Sequence, residues 1–221
     1  MAPRGAHAGP DEPFAIEIKD FKELQHLQRG IFANIERRTA DGAYHYVFRD
    51  PNRNLAHGND GVVFTPVDEP YTFFTCRTLL KWKPADMNTV DFKLRTEWRP
   101  EKGKSALQPR FELLMGNHPG QSKHYGWIYF PDELRDRFAN DRTADARIIE
   151  CVWDKDYVTE AFELDAATWD EPNITRGGWR FERLRPDKTE PNFVTTVENV
   201  WRTILEDVTK DDLLAAAPPQ A

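Results

Sequence analysis

The sequence is short of three things: cysteine, long apolar runs and net positive charge. Only Cys76 and Cys151 occur in 221 residues, with no Cys or His pair at metal-ligand spacing, which argues against a zinc site and fits a reducing compartment. No apolar run approaches the roughly 18 residues of a membrane-spanning helix, so we expect no membrane partner. The formal net charge of -7 disfavours a protein that coats nucleic acid non-specifically, although it leaves room for a local basic patch.

What is present is the composition of a globular protein. The chain is 39% hydrophobic and 30% charged, and it is long enough for one large or two small domains. Residues 1–12 begin with an Ala-, Gly- and Pro-rich stretch without an apolar signal core, and we interpret them as a disordered leader or an artefact of gene prediction. Residues 13–19 alternate as a strand does, and apolar residues at helical spacing predict a helix over residues 21–38, broken near Gly30.

Two lysines, Lys81 and Lys83, stand two residues apart in a segment that predicts a strand. On a strand both ammonium groups point to one face, while Leu80 and Trp82 point the other way into packing. With an acidic residue on a neighbouring strand, the pair suits a phosphate chain with a divalent metal. A solvated edge strand whose lysines prevent aggregation explains the same spacing, and spacing alone does not decide between the two.

The second half of the chain predicts a small β-rich domain. Five short strands are separated by polar, Gly- and Pro-rich segments, at residues 92–98, 110–116, 125–130, 146–153 and 178–184. A short helix is predicted over residues 131–138, and five strands with one intervening helix suit an antiparallel OB-fold barrel. A final helix is predicted from the apolar stripe Phe193, Val197, Val200 and Ile204, with Asn192 as its N-cap.

Three ordered motifs carry a resemblance to a known family. They read Asp60-Gly61-Val62-Val63-Phe64-Thr65-Pro66; Leu79-Leu80-Lys81-Trp82-Lys83-Pro84 with Asn88-Thr89-Val90-Asp91-Phe92; and Trp179-Arg180-Phe181-Glu182-Arg183-Leu184-Arg185-Pro186-Asp187-Lys188-Thr189-Glu190-Pro191-Asn192. The first two resemble the fourth and fifth motifs of the eukaryotic mRNA capping enzyme, the GTP:RNA guanylyltransferase. The third is similar to the family's sixth motif, whose core is Arg-x-Asp-Lys-x-x-Pro-Asn. The resemblance spans roughly residues 13–214.

The resemblance implies an α+β fold with three parts. Residues 13–92 would be the C-terminal part of an ATP-grasp-like nucleotidyltransferase domain, and residues 93–191 an OB-fold β-barrel domain. Residues 192–221 would form C-terminal helices that pack back on the nucleotidyltransferase domain.

The implied chemistry is transfer of GMP from GTP, through a lysyl-GMP phosphoramidate, to the 5′-diphosphate end of nascent RNA, with Mg²⁺ or Mn²⁺ as cofactor. By resemblance, Lys81 and Lys83 serve the α-phosphate, and Lys81 also assists the attacking lysine. Asp60 would sit beside the metal or the nucleophile. Asp91 would buttress the fifth motif next to the GTP phosphates.

The sixth motif implies a phosphate clamp that closes with the OB domain. Arg185 and Lys188 would grip the β- and γ-phosphates, and Asp187 would support the geometry of metal and pyrophosphate. Arg183 is a weaker candidate. Without the companion motifs, the same charged residues would be interpreted as a solvated turn.

One departure from the family pattern is decisive. The family's nucleophile lies in Lys-x-Asp-Gly, and no lysine here is followed by x-Asp-Gly or x-Asn-Gly. We therefore expect the chain to be the C-terminal portion of a guanylyltransferase that makes no lysyl-GMP by itself.

The resemblance also implies RNA triphosphatase and the phosphorylated tail of RNA polymerase II as partners, and a nuclear location. Two alternatives stay open from the sequence. One is an ATP-dependent polynucleotide ligase, which shares the motif order. The other is a non-catalytic OB or RNA-binding module, in which Trp127 and Tyr129 would stack on bases if they are not barrel core.

Overall fold

The computed structural model describes residues 21–40, 43–52, 56–141 and 146–219. The predicted leader and the strand at residues 13–19 lie outside these ranges. The described part is a mixed α/β structure built mostly of sheet, and it divides into two compact units. One unit holds the described residues up to Asp60 together with those from Lys210 on, and the other is Gly61–Thr209.

Three antiparallel strands form the sheet of the first unit, in the order β1-β2-β3. They are β1 (Ile35–Ala40), β2 (Ala43–Arg49) and β3 (Ala56–Asn59). The regular helix predicted over residues 21–38 is wrong: Leu24–Asn34 forms short 3-10 and π turns, and the chain is already a strand at Ile35. The physical reason lies at Ile31, whose backbone (φ -121°, ψ -71°) leaves the α region and interrupts the hydrogen-bond ladder.

The second unit contains a short hairpin, a five-stranded antiparallel sheet and two helices. The hairpin is β4 (Val62–Phe64) and β5 (Leu80–Trp82). The large sheet consists of β6 (Thr89–Arg99), β7 (Gln108–His118), β8 (Gln121–Ile128), β9 (Ile148–Ala161) and β10 (Asn173–Leu184), in the order β10-β9-β6-β7-β8. Helix α1 (Asp132–Asn140) joins β8 to β9, and α2 (Val194–Glu206) follows β10. The last helix, α3 (Lys210–Ala216), belongs to the first unit.

All five predicted strands and the helix between the third and fourth are present, and the strands are longer than predicted. The predicted domain boundary between residues 92 and 93 falls inside β6, whereas the two compact units divide at Asp60 and Gly61. The three-part domain assignment therefore stays a proposal. No described helix combines the length and apolarity needed to cross a bilayer.

The core lies on the inner face of the large sheet. Val90, Phe92 and Leu94 alternate along β6 with full burial, as period-two patterning requires for side chains that share a face. They meet Leu113 of β7 and Ile149 of β9 in one buried cluster. Helix α2 covers this cluster with Val197, Val200 and Ile204 of the predicted stripe, and Val197 is the most buried of them. The fourth predicted member, Phe193, precedes the helix and is 40% exposed.

The sheet does not close into the predicted barrel. Among the described strands, β8 and β10 are the two edges, and they do not pair with each other. Side chains bridge them instead: Trp179 Nε1 donates to Tyr125 Oη over 3.0 Å, and the rings of Phe130 and Phe181 meet edge to face at 6.0 Å. Aromatic side chains rather than backbone hydrogen bonds therefore join this side of the sheet, and it stays open.

Candidate functional site

A buried carboxylate, Asp91, stands at the centre of the charged residues that the sequence singled out. Its side chain on β6 is only 7% exposed. It accepts a hydrogen bond from Arg185 Nη1 at 2.8 Å through Oδ1 and one from Lys188 Nζ through Oδ2. Ionised groups are rarely buried unless they are paired, and here one carboxylate holds two cations.

Arg185 has its guanidinium shared between two carboxylates. Besides Asp91, it forms a bidentate pair with Asp187, with Nε–Oδ1 and Nη2–Oδ2 distances of 3.0 and 2.8 Å. The hydrogen bonds with Asp187 raise the pKa of Arg185 above its ordinary value. They also lower the pKa of Asp187 to about 2, so this pair stays charged throughout the neutral range.

A third carboxylate, Glu150 of β9, completes the cluster and was not predicted. It lies opposite Asp91 in the β6–β9 register and accepts hydrogen bonds from Thr89 Oγ1 at 2.8 Å and Arg183 Nε at 2.5 Å. Burial acts to raise the pKa of Glu150, but the hydrogen bonds from Thr89 and Arg183 outweigh it and the net pKa is lowered. In the sequence, Glu150 is recognisable only as a single acidic residue within the otherwise apolar run 148–152.

The cluster is electrically balanced. Three carboxylates face three cations, and the Arg185 guanidinium also lies 3.7 Å from Glu150. We call this set of Asp91, Glu150, Arg183, Arg185, Asp187 and Lys188 the carboxylate–cation cluster. The structure thus brings together four predicted site residues, Asp91, Arg185, Asp187 and Lys188. It also includes the weaker candidate Arg183 and adds Glu150.

The loop that carries the cations is fixed to the sheet at both ends. Arg185 N donates to Ile148 O at 2.8 Å, and Asn192 N donates to Asp91 O at 2.7 Å. Asn192 does not cap α2 as predicted: its Oδ1 accepts from the backbone N–H of Asp91 at 2.8 Å. Phe193 occupies the N-cap position of α2 without a side-chain cap hydrogen bond. The side-chain amide oxygen of Asn192 accepts a hydrogen bond from the backbone N–H of a strand residue, so it is not available to cap the helix.

Lys81 and Lys83 lie on the small hairpin, apart from the five-stranded sheet. Lys81 is exposed in the middle of β5, opposite Val63, and Lys83 follows the end of the strand and is half-buried. The prediction that Leu80 packs inward is wrong, because its side chain is 64% exposed on this three-residue strand. Trp82 is partly buried and donates from Nε1 to Val208 O at 2.7 Å.

Gly61 allows the hairpin to form. Its φ of +134° is a conformation that side-chain-bearing residues rarely adopt, and an added Cβ would lie 1.9 Å from Trp82 O. The fourth motif therefore needs glycine at this position for a steric reason, because only a residue without a side chain lets the backbone pass directly against the strand that carries Lys81.

Asp60, the predicted metal ligand, is an exposed residue that follows β3 in the first unit. Within the described ranges, no three His, Cys, Asp or Glu side chains are grouped as a metal-binding set. The residues present therefore do not form a metal site by themselves.

Comparison with known proteins identifies two adjoining family matches. Residues 87–214 match the family "mRNA capping enzyme, C-terminal domain", and residues 4–85 match "mRNA capping enzyme, catalytic domain". The mRNA-capping enzyme subunit alpha of Schizosaccharomyces pombe is 31% identical over 176 residues, covering 78% of this chain and 39% of that protein. The corresponding subunit of Yarrowia lipolytica is 29% identical over 216 residues, covering 94% of this chain and 46% of its own length.

A metazoan relative shows the same pattern. The mRNA-capping enzyme of Mus musculus is 27% identical over 202 residues, covering 91% of this chain and 26% of that protein. In each of these three comparisons the chain spans less than half the length of the curated relative.

Proposed function

Because this chain belongs to the mRNA capping enzyme family, we propose that it supplies the phosphate-clamping part of a GTP:RNA guanylyltransferase. The observation that carries the proposal is the carboxylate–cation cluster. It joins the fifth-motif strand to the sixth-motif loop through Asp91, Arg185 and Lys188. The family matches favour this reaction over the polynucleotide ligase and the non-catalytic module.

The reaction has two balanced steps. In the first, the Nζ of a neutral lysine forms a bond to the α-phosphorus of GTP, the bond to the β-phosphate oxygen breaks, and pyrophosphate leaves. In the second, a terminal phosphate oxygen of 5′-diphosphate RNA forms a bond to the same phosphorus and the P–N bond breaks. No Lys-x-Asp-Gly occurs in these 221 residues, so the attacking lysine of this proposal lies outside them.

The cations of the cluster suit the triphosphate because they are already held in place. Arg185 and Lys188 would stabilise the charge that grows on the leaving pyrophosphate. In the structure both are engaged by Asp91, whose carboxylate stands in for an anionic ligand. Lys188 is 35% exposed against 14% for Arg185, so Lys188 can reach an incoming phosphate with the smaller rearrangement. Lys81 and Lys83 would serve the α-phosphate from the hairpin.

A divalent ion is part of the proposal, and the described residues do not hold one alone. Mg²⁺ commonly binds through one or two carboxylates together with substrate phosphates. Asp60 is the proposed protein ligand, and Mg²⁺ or Mn²⁺ would then arrive with the GTP phosphates.

We also propose that residues 93–191 are an OB-like domain and that the segment before them belongs to a nucleotidyltransferase domain. In support, the OB-fold is a five-stranded, partly open Greek-key barrel, and this sheet has five antiparallel strands in the order β10-β9-β6-β7-β8. Helix α1 lies between its third and fourth strands in chain order. RNA triphosphatase and the phosphorylated polymerase tail remain proposed partners, and the nucleus the proposed location.

The test is transfer of label from α-labelled GTP with Mg²⁺ or Mn²⁺, read on a denaturing gel. The chain is incubated alone and with a complementary polypeptide that carries the Lys-x-Asp-Gly lysine of a relative. We expect no label alone and label on the complementary polypeptide when both are present. Label on this chain alone would place the nucleophile among its own lysines. No label in either case would favour the non-catalytic module.

A matched pair of variants tests the clamp within that assay. Lys188→Ala should slow label transfer by about 10²-fold or more, the usual effect of removing one donor that stabilises transition-state charge. Arg176→Ala removes the same charge from an exposed site on β10, where the arginine forms a surface ion pair with Asp156, and should leave the rate nearly unchanged. Equal rates for the two variants would contradict the clamp.

A further inference from the structure

A second site lies away from the carboxylate–cation cluster, where the ends of β8 and β9 meet helix α1. A cavity of about 220 Å³ opens there, with walls from β7, β8, α1 and the end of β9. At about 30 Å³ per water it has room for roughly seven waters, the scale of a planar ring system and not of a single ion. None of the three family motifs contributes a wall residue.

Aromatic residues form about half of the wall, beside charged and aliphatic residues. Phe130, Phe162 and Tyr129 line the cavity, and Tyr129 is 40% exposed although most of its neighbours are buried. Trp127 is part of the core: it is buried and donates from Nε1 to Phe162 O at 2.8 Å. Tyr129 is thus the ring that remains accessible at the cavity for a ligand to stack on.

Hydrogen-bonding groups of both kinds line the same cavity. Arg110 and Arg135 supply donors, and Glu160 supplies an acceptor. The Nε of Arg110 is buried and has no hydrogen-bond partner within the described residues. Because that nitrogen is itself shielded, a ligand in the cavity would meet the exposed parts of the guanidinium groups, whose side chains are 24% exposed at Arg110 and 41% exposed at Arg135.

The charges argue against a phosphate in the cavity. Arg110 is paired with Glu101 at 2.7 Å, and Arg135 is paired with Asp132 at 2.9 Å and Asp136 at 3.2 Å. With Glu160, four carboxylates therefore surround two guanidinium groups, and a free anion would meet net repulsion. A neutral planar ligand with donors and acceptors on its edge fits these walls.

We propose that this cavity binds an unpaired nucleobase of single-stranded RNA, stacked on Tyr129 with its polar edge toward Arg110 and Glu160. The inference rests on the proposed function, because the RNA substrate is the natural source of such a base. It places one nucleotide of the transcript on the five-stranded sheet, at a distance in sequence from the phosphate clamp. Stacking on an aromatic ring is tolerant of base identity, so the site would hold RNA without selecting its sequence.

The test is binding of the 221-residue chain to a ten-nucleotide single-stranded RNA that contains 2-aminopurine, whose fluorescence is quenched on stacking. A second oligomer has the same phosphates but abasic positions. We expect quenching with the first oligomer and weaker binding of the second, measured by anisotropy. Equal affinity for both oligomers would assign the binding to the backbone and overturn the proposal.

Three variants test whether RNA binding depends on the ring of Tyr129. Tyr129→Ala should weaken binding of the base-containing oligomer by about fivefold to 100-fold, the range for losing one stacked base. Tyr129→Phe keeps the ring and should bind like the parent chain. Tyr71→Ala, which removes a tyrosine that is 85% exposed elsewhere in the same unit, is the matched control and should also bind normally. Unchanged binding by Tyr129→Ala would overturn the proposal.

Two measures distinguish a loss of base binding from a loss of folding. Near-UV circular dichroism of Tyr129→Ala checks its packing, and the quenching measurement on the unmodified chain needs no variant. The binding assay contains neither GTP nor a complementary polypeptide. Failure of label transfer and failure of base binding are therefore separate results, the first against the proposed function and the second against this site.

Discussion

Replacing Asp91 with asparagine should destabilise the Gly61–Thr209 unit because it removes the charge that holds two cations. Breaking a buried ion pair from one side costs about 3–5 kcal/mol. Two features reduce that figure here: Arg185 keeps its bidentate pair with Asp187, and Lys188 is 35% exposed and can turn to water. With a charged hydrogen bond contributing about 1.5–3 kcal/mol, we expect a net loss of about 2–3 kcal/mol for Asp91→Asn.

Urea unfolding followed by tryptophan fluorescence measures this loss directly, because all seven tryptophans lie between Trp82 and Trp201. The matched control is Asp187→Asn, which also removes one carboxylate from Arg185 but at a side chain that is 59% exposed. Its effect should be much smaller, because water replaces an exposed partner readily. If the two variants unfold at the same urea concentration with equal slopes, the central role assigned to Asp91 is refuted.

Three further outcomes follow from particular residues. Gly61→Ala should open the β4–β5 hairpin, since the new Cβ would clash with Trp82 O, and limited proteolysis should then cleave within residues 61–83; an uncleaved variant would contradict this. Iodoacetamide should modify Cys76 of the native protein before Cys151. Hydrogen bonds with Thr78 lower the pKa of Cys76, whereas burial raises the pKa of Cys151 well above its ordinary value. Mass spectrometry of the two peptides gives the order of modification. Folding lowers the pKa of Asp187 from 3.8 to about 2. The stability that its ionised carboxylate contributes to the fold should therefore be complete above about pH 4 and lost as pH falls toward 2. Acid unfolding of Asp187→Asn should lack this pH-dependent component.

The strands were predictable where one face is buried, and this explains which parts were found. The strand prediction found β6 and β7 within their true bounds, and in β6 Phe92 and Leu94 share the buried inner face. It missed the second half of β9, residues 154–161, because that segment pairs only with β10 and carries mostly polar side chains. A two-stranded ribbon of mostly polar, partly buried side chains leaves no period-two apolar pattern to detect.

The candidate site was predictable in its residues but not in its pairing. The motifs singled out Asp91, Arg185 and Lys188, yet a hydrogen bond between residues 94 positions apart depends on strand register, which local sequence does not encode. Asn192 is a second example. The sequence predicts it as a helix N-cap, but its Oδ1 instead accepts the backbone N–H of Asp91 in β6 at 2.8 Å. Glu150 was missed because strand 148–153 was interpreted through its apolar neighbours alone.

The double attachment of the sixth-motif loop has a mechanical consequence. Residues 185 to 192 are a short span pinned at both ends to strands of one sheet, at Ile148 and at Asp91. Such a span cannot swing as an independent flap, since lifting either end would break a backbone hydrogen bond inside the sheet. Any backbone movement that displaces Arg185 and Lys188 together would therefore carry the five-stranded sheet with it as one body, with its hinge outside the loop.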